Sequence, residues 1–88
     1  PAASVVVDAD YVVQAGDYAV GADTAGGDVA VTLPDRGAAF SGILVRKFSG
    51  ANALTILRGT NVLETLADDG ETRAYDWWPD RAEWYARY

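Results

Sequence analysis

The 88-residue chain has room for one domain, and a domain of that size buries only about 60% of its unfolded surface. With no cysteine and no histidine, it has no disulfide staple, no thiolate or imidazole zinc site, and no Ser–His or Cys–His nucleophile. Its formal charge of −6 argues against the basic face that nucleic acid requires.

The charge is uneven. From Pro1 to Asp35 there are six acids and no base, and from Arg36 onward seven acids meet seven bases. Two readings stand side by side: a solvated acidic surface, or a first third that faces solvent or a basic partner while the rest makes mixed contacts. No run approaches the ~20 apolar residues of a membrane span, and no basic stretch precedes an apolar core as in a signal peptide. The opening Pro-Ala-Ala-Ser fits trimming of an initiator Met, so a nearly complete small protein made in a cytoplasm is expected. With so thin a core, good packing or assembly with other chains must supply stability.

Strand signals run along the whole chain, each bounded by turn residues. "SVVV" (4–7) and "YVVQ" (11–14) are β-branched runs split by Asp8-Ala9-Asp10. "DYAVGAD" (17–23) follows. "TAGGD" supplies glycines for a tight reversal. In 28–33 the alternation is strict: Val29, Val31 and Leu33 point one way, Asp28, Ala30 and Thr32 the other. Pro34 has no N–H for a ladder and ends that strand. "DRGAAFSG" (35–42) reads as a loop with room for one helical turn.

"ILVRKF" (43–48) and "ALTIL" (53–57) are further strands, with Ile43, Val45, Leu54 and Ile56 on the core face beside Val29, Val31 and Leu33. "VLETL" (62–66) reads as a short strand or loop, and "ADDG" (67–70) as a turn. "ETRAYDWW" (71–78) and "EWYARY" (83–88) flank "PDRA" as a final hairpin. "PDRAEWYARY" is the best helical candidate, but Trp84, Tyr85 and Tyr88 suit a strand as well. Roughly seven to nine short strands with turns about every ten residues predict a single all-β domain over 1–88, a small antiparallel sandwich or jelly-roll-like barrel.

Chemistry has little to work with. Asp8 and Asp10 at i, i+2 would share a strand face, and Asp68, Asp69 and Glu71 crowd a turn. Turn chemistry and solvation account for both clusters; loose calcium binding and a carboxylate pair are the sharper rivals. "DDGE" lacks EF-hand spacing, and "AGGD" is followed by no Lys-Ser/Thr for a phosphate loop. No catalytic residue, metal ligand or cofactor is expected, and the chain is read as no enzyme.

The aromatic residues carry more information. Six of the ten lie between Tyr75 and Tyr88. Adjacent Trp77 and Trp78 must face opposite sides of a strand. Because Pro79 keeps Trp78 extended at the strand end, Trp77 is expected in the core and Trp78 at a contact. Tyr75, Trp77, Trp78 and Tyr88 are the candidate assembly interface. A sugar-stacking platform using Trp77, Trp78 or Tyr88 is the alternative.

The run "DYVVQAGDYAVGADTAGGDVAVTLPD" resembles a module of virion proteins of tailed bacteriophages and related prophages. The pieces are Asp17-Tyr18, Asp23-Thr24 with Gly26-Gly27, Val29 to Pro34, Gly42 to Lys47, Asn52 to Ile56 and Trp84-Tyr85. The likeness covers nearly the whole chain. It departs where the module has a short "T-I-D-G" turn, since this chain reads "TNVLETLADDG". The resemblance implies a virion structural protein without catalytic residues, in most cases trimeric. Size points to a capsid decoration (cement) protein on the outer capsid surface. Its partners would be itself, as a homotrimer, and the major capsid protein, with no nucleic acid and no membrane. The alternative is a tail-tip or head-fibre knob that binds a host surface glycan.

Overall fold

The computed structural model describes residues 3–87, and the domain is all-β. The strands among the described residues are β1 (Ala3–Val7), β2 (Tyr11–Val12), β3 (Asp17–Ala22), β4 (Val29–Leu33), β5 (Ser41–Lys47), β6 (Leu54–Arg58), β7 (Asn61–Leu66), β8 (Thr72–Trp78) and β9 (Glu83–Arg87). They form a five-stranded sheet in the order β1-β3-β5-β8-β9 and a four-stranded sheet in the order β2-β4-β6-β7. Neither sheet closes on itself, so the architecture is an open sandwich of two mixed sheets and not a barrel.

The expected antiparallel arrangement is corrected by the strand pairing. β1/β3, β3/β5, β2/β4 and β4/β6 are parallel; β5/β8, β8/β9 and β6/β7 are antiparallel. From β1 to β6 the chain changes sheet at every step until the β6–β7 hairpin. Each strand therefore lies beside the one two steps earlier, and the chain winds as a flattened coil. Aligned residues stack from turn to turn: Val5, Val20 and Val45 in the larger sheet, Tyr11, Val31 and Ile56 in the smaller. A parallel pair needs a crossover, and here a strand of the other sheet supplies it. The "TAGGD" segment is accordingly no hairpin reversal. It carries the chain from β3 across to β4, with Gly27 N donating to Thr24 O.

Period-2 burial follows the expected parity. Val29, Val31 and Leu33 are buried with Ile43, Val45, Leu54 and Ile56, joined by Val13, Val20, Ala22, Leu66, Tyr75, Trp77 and Trp84. Residues 35–42 contain no helical turn, and Ser41 and Gly42 already belong to β5. Residues 61–66 form a full strand. The β8–β9 hairpin turns through Pro79–Ala82, with Arg81 N donating to Trp78 O and Ala82 N to Pro79 O.

The aspartates of the first third explain how the coil holds together. Asp10 Oδ1 accepts from Ala30 N at 2.9 Å, and Asp28 Oδ1 from Ala53 N at 2.9 Å. In each case the acceptor is an aspartate of one coil turn and the donor the aligned residue of the next, just ahead of or inside the small sheet. Asp17 accepts from Gln14 N, Asp23 from Ala25 N and Asp35 from Gly37 N. Crossing segments leave backbone N–H groups without a ladder partner, and a short carboxylate satisfies them locally. Asp8 and Asp10, expected on one strand face, instead lie in the β1–β2 link.

Candidate interaction surface

The four residues singled out in the sequence separate cleanly. Tyr75 and Trp77 are buried in the core, Trp78 is 48% exposed, and Tyr88 lies outside the described residues. Tyr75 OH donates to Glu64 Oε1 at 2.6 Å, and Arg73 Nε donates to Glu64 Oε2 at 2.6 Å, so one carboxylate of β7 ties the small sheet to β8. Glu64 in turn raises the Arg73 guanidinium above its ordinary value, first by that hydrogen bond and then by its charge.

Trp77 and Trp84, opposite each other on β8 and β9, close one end of the sandwich. Trp77 Nε1 donates to Gly37 O at 3.0 Å and Trp84 Nε1 to Pro34 O at 2.8 Å. The guanidiniums of Arg58 and Arg36 lie over the two rings, 5.2 Å and 5.5 Å from their centroids. The loop 34–40 is pinned by these contacts, and it presents Phe40 edge-on to Trp78 at 5.5 Å and 86°.

At the opposite end Lys47 occupies a core-facing position of β5 and is fully buried. Its Nζ donates to Gly50 O at 2.7 Å and to Asp69 Oδ1 at 2.8 Å. Gly50 is required there, since φ is +135° and a Cβ would lie 2.4 Å from Ala25 N. Parity along Ile43, Val45 and Lys47 is the sequence signal for this buried cation. The turn 67–70 is thus structural. Asp69 holds Lys47, and Glu71 accepts from Asp68 N and Ala67 N. The Asp68 N–H, then that of Ala67 and the charge of Arg73, hold the Glu71 carboxyl below its usual range against an opposing desolvation. In the same way the hydrogen bond to Asp17 pushes the Tyr11 phenol up. No group of acids arranged to hold a metal occurs among the described residues.

Two apolar patches occupy the outer face of the larger sheet. The first is a groove of about 190 Å³ over β1, β3 and β5. Its floor is small, Ala19 and Gly21, and its walls are Val6, Leu44 and Phe48, all exposed. The Phe48 ring lies over Gly21 so closely that a Cβ there would come within 2.0 Å of it. The second is an open cleft of about 420 Å³ lined by Trp78, Arg81 and Tyr85. The Asp76–Arg87 ion pair of β8 and β9 lies between the patches and raises the Arg87 guanidinium, first through the hydrogen bond. No protein-family model, curated protein or solved structure matches this chain.

Proposed function

We propose that this chain is a virion structural protein of the capsid-decoration kind. It trimerises on the head surface of a tailed phage and bridges capsomers without catalysing a reaction. The observation that carries the reading is the groove of Val6, Leu44 and Phe48 over Ala19 and Gly21. An exposed apolar strip of Val6, Leu44 and Phe48 offers area for a second surface to cover. Such a strip on an 88-residue domain without disulfides favours assembly as the source of stability. The resemblance of nearly the whole chain to tailed-phage virion modules directs that assembly to the particle. Ten of the thirteen acids hold a backbone N–H, a hydroxyl or a base of the folded chain, and in this reading their role is structural.

The test is the copy number of the chain in the purified particle, together with Leu44→Asp. Hundreds of copies per particle, lost on Leu44→Asp while the isolated fold is kept, support decoration. A handful of copies, or full attachment of the variant, overturns it.

A further inference from the structure

We infer that the cleft between Trp78, Arg81 and Tyr85 is a saccharide site, and that the ligand is a polysaccharide containing uronic acid. The inference goes beyond the virion reading and does not rest on it.

Arg81 points to the charge of the ligand. The other six bases are each held by an acid, a hydroxyl, a carbonyl or an aromatic ring. Arg81 alone has no such partner among the described residues, although it lines a cleft. The turn that presents it places Ala82 at φ +50°, a left-handed conformation that an alanine adopts at a cost. An unpaired guanidinium is a fork of donors matched to a carboxylate.

The rings point to a sugar. Trp78 and Tyr85 are 48% and 47% exposed, and they line the same cleft as Arg81. A protein anchor residue needs an enclosed, desolvated pocket. A pyranose does not, because it rests its C–H face on an aromatic ring and leaves its hydroxyls in water. The open form of the cleft suits an internal unit of a chain, and its volume of about 420 Å³ falls within the range of small-ligand sites. The platform is also prepared in advance. Phe40 buttresses Trp78 from a loop that the buried Trp77 and Trp84 hold by their indole N–H groups.

The net charge of −6 does not oppose this locally. Of the neighbouring acids, Glu83 is paired with Arg58 and Asp76 with Arg87; Asp80, the residue before Arg81, is exposed to water and is, among the described residues, the one unpaired acid beside the cleft, which it does not line. Charges farther than about 8 Å are screened at physiological salt.

Tryptophan fluorescence of the isolated protein reads the site directly, since Trp78 is exposed while Trp77 and Trp84 are buried. Titration with tetragalacturonate is expected to give a saturable change. Maltotetraose, which has no carboxylate, should bind about tenfold more weakly, the scale of one charge-assisted hydrogen bond. Arg81→Gln should erase that difference, and Trp78→Ala should abolish the calorimetric signal of tetragalacturonate with the circular dichroism unchanged. The inference is overturned by the absence of saturable binding of tetragalacturonate, or by equal binding of the two oligosaccharides to the unaltered protein.

Discussion

Trp77 and Trp84 meet edge to face across β8 and β9, with ring centroids 5.6 Å apart, and each donates its indole N–H to a carbonyl of the same loop. The pair therefore does two jobs. It fills the end of the core and fixes residues 34–40, from which Phe40 reaches Trp78. The adjacent Trp78 shares neither job, so the two neighbouring tryptophans should respond differently to truncation.

Trp77→Ala is expected to cost ~3–5 kcal/mol, the range for removing a large buried aromatic. A domain whose whole stability is of order 5–15 kcal/mol would be left close to unfolding. Trp78→Ala removes a half-exposed ring and its edge-to-face contact with Phe40, so it should cost about 1–2 kcal/mol and leave the fold intact. Urea titrations of the two variants, followed by circular dichroism, check the contrast.

Leu33→Ala and Ile56→Ala should each cost ~2–5 kcal/mol, because both side chains are fully buried between the sheets. Val31→Asp should abolish folding, since Val31 is fully buried and its carboxylate would have no partner. A folded Val31→Asp protein with unchanged circular dichroism would mean that the strand is out of register by one residue.

Lys47 and Asp69 should behave as an asymmetric pair. Lys47→Met keeps the buried stem and removes the charge, so a loss below ~1.5 kcal/mol is expected. Asp69→Ala leaves the ammonium buried with only the Gly50 carbonyl. A fully buried pair broken in this way costs ~3–5 kcal/mol, but Asp69 is 62% exposed, and water can replace part of what it supplies. A loss of about 1–2 kcal/mol follows. Asp69→Ala placed on Lys47→Met should then cost almost nothing, which a double-mutant cycle measures.

The carboxyl of Glu71 titrates below its ordinary value because the folded chain donates two N–H groups to its ionised form. Its contribution to stability is thus fully present above the unfolded carboxylate value and lost as pH falls through the lower folded one. Urea midpoints of the unaltered protein and Glu71→Gln should differ at neutral pH and converge in acid. A difference that persists unchanged in acid would assign the effect to packing.

Asp28→Ala should remove the acceptor for Ala53 N and cost about 0.5–1.5 kcal/mol. Asp28→Asn, which keeps an acceptor oxygen, should recover most of the loss. Hydrogen exchange at Ala53 gives the local readout, with faster exchange in the alanine variant only.

Much of the fold could be read residue by residue, but the candidate site could not. Val29, Val31, Leu33, Ile43, Val45, Leu54 and Ile56 are assigned to the core by their spacing, and all are buried. The opposite facing of Trp77 and Trp78 follows from parity and Pro79 alone. Arg81 carries no signal in sequence. It stands out only because every other base finds a partner in the folded chain, and those partners come from distant segments such as Glu64 for Arg73 and Glu83 for Arg58.

The sequence by itself determined that the chain is all-β, where most of its strands lie, and which face of β4, β5 and β6 is buried. These depend on period-2 alternation and on glycine and proline at the breaks, which are local properties. The tertiary structure decided which strands are neighbours. Alternation is the same whether a partner runs parallel or antiparallel, and a turn such as Asp23–Asp28 can close a hairpin or cross to the facing sheet. That choice rests on packing between strands two steps apart, Val5 on Val20 on Val45, and on aspartates such as Asp10 and Asp28 that accept N–H groups from the next turn of the coil. It also decided what covers the crossing loops and what stays open, because burial of Lys47 and exposure of Arg81 are set by residues far away in the chain.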